Sequence, residues 1–176
     1  RFPRGDATWA LRSASRIANR FRRQEYRMLS VPTTASGERP ETISIPPYGR
    51  LNSRSRIVAQ MSSEDFVVLA GWYLSEGHCR PLDDHAHRGR IVICQTDQHP
   101  TYRAEIIALL RRLGLHVNDR TKDITAQSLN LAAYLIDQFG HGSSAKRIPR
   151  WVKDLHPDLL VLLRDTMMKG DGAAAG

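Results

Sequence analysis

The chain has 176 residues, enough for one sizeable core or a core with an appendage, and its 41% hydrophobic and 25% charged content is ordinary for a globular protein. It has no apolar run long enough to span a bilayer, no signal-peptide core behind Arg1-Phe2-Pro3, and two cysteines (Cys79, Cys94) in neither a CxxC pair nor a zinc-finger spacing, which points to reduced thiols in an intracellular protein. The net charge of +8 is unevenly placed: residues 1–60 hold 12 arginines against four acids, and the rest of the chain balances.

Arginine outnumbers lysine 22 to four. A planar guanidinium donates two parallel hydrogen bonds to phosphate or guanine, which suits a nucleic-acid partner. A GC-rich genome accounts for the Arg/Lys ratio equally well, but not for the localisation of the charge. In residues 7–29, Trp9, Ala14, Ile17, Ala18 and Phe21 approximate a helical stripe, with Arg12, Arg16, Arg20, Arg22 and Arg23 on the polar face. Such a basic helix is either a grip on DNA or a solvated face. Residues 30–60 are broken by Pro32, Gly37, Pro40, Pro46, Pro47 and Gly49. Ile43 and Ile45 alternate with polar residues as in a short strand, and a soft boundary falls near residue 60.

Beyond it the pattern becomes regular. Ser62 or Ser63 is a plausible N-cap, with Glu64 and Asp65 in the first turn and an apolar stretch from Phe66 to Ser75. Residues 88–95 are β-branched and predict a strand. Thr101–Leu113 predicts an amphipathic helix ended by Gly114. His116–Arg120 and Ile124–Ser128 read as short strands around a turn, and Leu129–Phe139 as a helix stopped by Gly140 and Gly142. Ile148–Leu155 reads as a short helix, and Pro157 opens a last one, Asp158–Lys169, ended by Gly170. The order from residue 64 is α-β-β-α-β-β-α followed by two helices, an α+β class with an antiparallel sheet. Three segments follow: 1–60 basic, 61–157, and 158–176.

Two stretches carry chemistry. Residues 69–77 read Leu-Ala-Gly-Trp-Tyr-Leu-Ser-Glu-Gly. Small Ala70 and Gly71 allow a second helix to come close, Glu76 projects from the helix end, and Gly77 lets the chain turn away. Taken alone, these nine residues also read as a buried helix with one exposed terminal acid. Residues 164–172, Arg-Asp-Thr-Met-Met-Lys-Gly-Asp-Gly, repeat the acid and terminal glycine as Asp171 and Gly172 after a leucine-rich run. Were the two helix ends to adjoin, their carboxylates would suit a hard divalent cation.

The two stretches resemble the paired motif of LAGLIDADG homing endonucleases, and the resemblance covers residues 64–172. Thr166 stands where that family prefers glycine, and Asp165 and Lys169 are unusual at a packed interface, departures that bear on how tightly the helices pack. The resemblance implies a curved antiparallel saddle sheet on duplex DNA and hydrolysis with Mg²⁺, for which Mn²⁺ substitutes. It implies Glu76, Asp171, Lys146 and Gln95 as catalytic residues, with Glu76, Asp171, Ser75 and Gly170 around the metal. His99 and Arg103 correspond to basic groups near the scissile phosphate. Candidate DNA contacts are Arg88 and Arg90, with Gln95, set against Ile91 and Ile93, then Asn118, Arg120, Lys122, Thr125 and Gln127, while His78, Arg80 and His87 flank the first hairpin.

The pattern Trp9…Ala18…Tyr26-Arg27-Met28-Leu29-Ser30-Val31-Pro32 resembles the segment after the N-terminal splicing half of inteins. With neither a splicing Cys or Ser at the start nor a His-Asn pair at the end, no splicing is expected. The chain reads as a piece of a longer protein. The complete form is expected to be a monomer of two pseudo-symmetric halves in the cytoplasm of a bacterial, archaeal or phage-infected cell, and this piece to bind weakly unless it self-associates. A non-cleaving DNA-binding regulator and a group I intron RNA maturase share the fold and remain alternatives.

Overall fold

The computed structural model describes residues 37–48, 56–83 and 88–170, all within a unit running from Thr34 to Gly176. The expected basic helix of residues 7–29, His87, Asp171 and Gly172 lie outside the described residues, as does the side chain of Arg88. In chain order the elements are β1 (Thr42–Ser44), β2 (Gln60–Ser62), α1 (Ser63–Glu76), β3 (Gly77–Asp83), β4 (Arg88–Ile93), α2 (Pro100–Arg112), β5 (Val117–Asp119), β6 (Ile124–Gln127), α3 (Leu129–Phe139), α4 (Arg150–Lys153) and α5 (Pro157–Gly170). The class is α+β. All strand pairings in both sheets are antiparallel, one sheet ordered β1-β2 and the other β3-β4-β6-β5. No helix among the described residues is long and apolar enough to cross a membrane.

Helix α1 is the axis of the core. Ser62 caps it, its hydroxyl accepting from the Asp65 N–H at 3.1 Å, and Glu64 and Asp65 complement the positive end of the helix dipole. Beyond that first turn the helix is apolar nearly all round, so it must be buried on every side. Phe66, Val67, Leu69, Ala70, Trp72 and Tyr73 are fully buried. Phe66 packs on Phe139, Tyr134 and Trp151, and the Tyr73 hydroxyl donates to the Gly140 carbonyl at 2.7 Å. The chain passes from α1 directly into β3 at Gly77. That glycine has φ −91°, which any residue adopts, so the expected conformational role is not what selects it. A Cβ there would lie 2.5 Å from Tyr73 Cα, so close approach requires the glycine.

The sheet β3-β4-β6-β5 lies against this core by one face. Alternation turns Cys79, Ile91, Ile93, Ile124 and Ala126 inward, all buried. Gly89 lets the start of α3 settle on β4, since a Cβ there would meet Leu129 Cα and Ala132 Cβ at 2.8 Å.

The composition break near residue 60 is not a break in packing. Ile43, Ile45, Val58 and Met61 belong to the same core as α1. Buried Asn130 fixes this part of the chain by imitating a strand partner. Its amide donates to the Val58 carbonyl at 2.7 Å and accepts from the Val58 N–H at 3.3 Å. Helix α5 buries Leu159, Leu163 and Thr166 at four- and three-residue spacing and packs along α1 more extensively than any other element does.

Candidate active site and nucleic-acid interface

The α1–α5 contact is built on missing side chains. A Cβ on Gly71 would come within 2.7 Å of Thr166 Cβ, and a Cβ on Gly170 within 2.1 Å of Ser75 Oγ and 3.0 Å of Glu76 Cγ. The closest contact of each glycine joins equivalent positions of the two nine-residue stretches, third to third and seventh to seventh. The helices therefore run parallel with their C-terminal ends together. Thr166, unusual by sequence, does not loosen the contact. It is fully buried, and its hydroxyl donates to the Leu162 carbonyl at 2.8 Å, so no polar atom is stranded. Asp165 and Lys169 avoid the interface: Asp165 pairs with Arg164, and Lys169 reaches Glu105 on α2 at 2.7 Å.

Glu76, the eighth residue of the first stretch, closes α1 at this junction. Its counterpart Asp171 lies outside the described residues and follows Gly170 in the sequence. The Lys146 ammonium donates to the carbonyls of Leu74 (3.0 Å) and Gly77 (2.7 Å) and lies over the Tyr73 ring. It thus neutralises carbonyls that a helix end leaves unpaired. Across from it, the Cys94 N–H donates to the Glu76 carbonyl at 3.0 Å, and the Cys94 thiol sits 4.0 Å from His78 Nδ1. Partial burial, then the negative charges of Glu76 and Asp123, raise the Cys94 pKa. Burial, then the positive charges of Arg80 and Lys146, lower that of His78. Sequence reasoning did not bring Cys94 into this group, although its parity, continuing from Arg90 and Val92, was the available signal.

The junction suits a hard cation in kind. It offers a carboxylate oxygen where two parallel helix C-termini concentrate negative potential. Among the described residues no three His, Cys, Asp or Glu side chains converge on a metal position. The Ser75 hydroxyl donates to the Gly71 carbonyl at 3.0 Å and lies against Gly170. Ser75 thus serves the helix contact, and Gly170 has only its backbone carbonyl to offer a metal.

The other expected residues divide. On the outward face of the sheet, register aligns Arg80, Arg90 and Gln127 in one row, and His78, Val92, Thr125 and Asn118 in the next. Arg80, Gln127, His78 and Asn118 are exposed and Arg90 half-buried, while Arg120 and Lys122 stand exposed at the β5–β6 turn. Neither Arg80 nor Arg90 pairs with a carboxylate among the described residues, so two like charges face each other directly across β3 and β4, an arrangement unfavourable without a bound anion. Arg88 pairs with Asp83 through the backbone.

Three expectations need correction. Gln95 shares the inward parity of Ile91 and Ile93, not that of Arg90, and is buried. Thr125 has the outward parity but is only 5% exposed between central strands. Arg103 is buried, its guanidinium donating to the Gln95 carbonyl, the Asp119 carboxylate and the Arg120 carbonyl, so it is not available as a surface basic group. His99 is exposed before α2, its ring stacked on Tyr102.

No protein-family model matches the chain, and no curated protein matches it.

Proposed function

We propose that this chain is the cleaving part of a LAGLIDADG-type homing endonuclease, of intein origin, that binds duplex DNA and hydrolyses its phosphodiester bonds with Mg²⁺, or Mn²⁺ in its place. One observation carries the reading: Gly71 meets Thr166 and Ser75 meets Gly170, equivalent positions in two stretches that each end in an acid and a glycine. The third-with-third register is the one a repeated motif would give, and the seventh-with-seventh contact follows one turn further on.

In this reading Glu76, at the end of α1, and Asp171, which follows Gly170 in the sequence, would hold the cation. A cation held there would supply positive charge to offset the negative charge on the phosphate and the leaving oxygen. Lys146 holds the end of α1 closed and adds positive charge beside the phosphate. Cys94 and His78 line the approach between that end and the open sheet face. Arg80, Arg90, Gln127, His78 and Asn118 face the major groove, where each base pair shows its own pattern of donors and acceptors. Arg120 and Lys122, at the hairpin tip, hold phosphates, which give affinity without sequence information. Arg80 and Arg90, which face each other with no carboxylate partner among the described residues, support an anionic partner.

A second reading, binding without cleavage, is favoured by Lys146, whose ammonium already serves two backbone carbonyls. Incubation of a randomised duplex library with Mg²⁺ separates the two. Recurrent cuts that disappear in Glu76→Gln support the endonuclease, and retention of DNA with no cuts supports the binder.

A further inference from the structure

We infer that Arg103 is a positioning residue: it never touches the nucleic acid but fixes the β5–β6 tip from which Arg120 and Lys122 reach it. The inference rests on the DNA-binding reading above for its consequence, though not for its structural half. Arg103 sits in the first turn of α2 with its side chain only 9% exposed. Its guanidinium donates to the Gln95 carbonyl after β4 and, on the far side, to the Asp119 carboxylate and the Arg120 carbonyl, the latter at 2.7 Å. Asp97 lies 3.4 Å from its Nε. One planar group thus ties three separate stretches, the β4–α2 connection, α2 itself and the β5–β6 turn.

The tip has little else to hold it. β5 is three residues long, with Asn118 and Asp119 exposed. The turn closes on two backbone bonds, Arg120 N–H to Asp123 O (2.9 Å) and Asp123 N–H to Arg120 O (3.3 Å), and Arg120, Thr121 and Lys122 are exposed. Without Arg103, the Gln95 carbonyl loses its donor, the Arg120 carbonyl keeps only the longer bond from the Asp123 N–H, and the Asp97 and Asp119 carboxylates lose the cation between them. Lysine is no substitute, because one ammonium cannot span acceptors set apart by a planar fork.

The test is the salt dependence of binding to a random-sequence duplex pool with Ca²⁺ in place of Mg²⁺. The native chain is compared with Arg103→Met, with Arg120→Ala/Lys122→Ala, and with the triple variant. Two lost phosphate contacts lower the slope of log K against log salt by about 1.8. Arg103→Met is expected to lower it about as much as the tip variant, and the triple variant no further. A further loss in the triple variant means that Arg103 contacts DNA itself and overturns the inference, as does a native slope in Arg103→Met.

Should Arg103→Met fail to fold, Asp119→Asn decides. Removing a negative charge beside the tip would strengthen binding if charge alone mattered, whereas positioning predicts a weaker grip and a smaller slope. If the native chain does not bind duplex at all, the functional reading fails on its own. Amide exchange then decides the positioning role: faster exchange at Arg120 and Asp123 in Asp119→Asn upholds it, and unchanged exchange refutes it.

Discussion

Alanine at Gly71 tests the helix pair on which the proposed site depends. A mid-helix glycine-to-alanine change normally stabilises by about 1 kcal/mol. Here the added Cβ would lie 2.7 Å from Thr166 Cβ, 2.9 Å from its Cγ2 and 3.2 Å from the Leu163 carbonyl oxygen. The nearest of these atoms is bonded directly to the α5 backbone and cannot rotate away, so the helices must separate by several tenths of an ångström. Overpacking of this kind costs about 1–3 kcal/mol, which leaves a net loss of ~1 kcal/mol after the propensity gain. Removing the opposing atoms with Thr166→Gly should turn the same Gly71→Ala change into a gain of ~1 kcal/mol, so the two positions should couple by about 2 kcal/mol in a double-mutant cycle. Urea unfolding of the four proteins, with similar m values, supplies the numbers. Stabilisation by Gly71→Ala in both backgrounds would refute the close parallel packing of α1 and α5.

Two further outcomes follow from the junction. Lys146→Met should destabilise the fold by about 1–3 kcal/mol, because the Leu74 and Gly77 carbonyls lose a charged donor, and it should abolish cleavage; urea unfolding and a cleavage assay read the two effects separately. His78 titrates below its ordinary 6.5 in the fold, so the unfolded chain binds more protons in that region. Its contribution to stability is therefore fully present above pH 6.5 and is lost as pH falls through its lower folded value. His78→Gln should flatten the fall in unfolding free energy below that pH, and an unchanged pH profile would contradict the assigned surroundings of His78.

The elements were legible because local rules settled them. The Ser62 cap, the glycines after two helices (Gly114 φ 74°, Gly140 φ 89°) and the β-branched run in β4 each act over a few residues. The helix pair was legible only through the resemblance of residues 69–77 and 164–172 to a paired motif, with Thr166 as its departure. Arg103 was not. A lone arginine early in a helix looks like any surface cation until two distant loops bring carbonyls and a carboxylate to it. Gln95 failed on parity, which continues inward past the end of β4, and Thr125 failed because outward parity on a central strand does not guarantee exposure. Asn130 shows the same limit, since its backbone partner lies 72 residues away.

The central claim is that the junction of α1 and α5, with Glu76 and Asp171, cuts DNA. Its most direct test exposes a randomised duplex library to the native chain and to Glu76→Gln, with Mg²⁺ for cleavage and Ca²⁺ for binding alone. Cuts at a recurrent sequence, made only by the native chain and only with Mg²⁺, with binding retained by Glu76→Gln in Ca²⁺, are the predicted result. Equal cutting by Glu76→Gln, or no cutting by a native chain that binds, would contradict the claim.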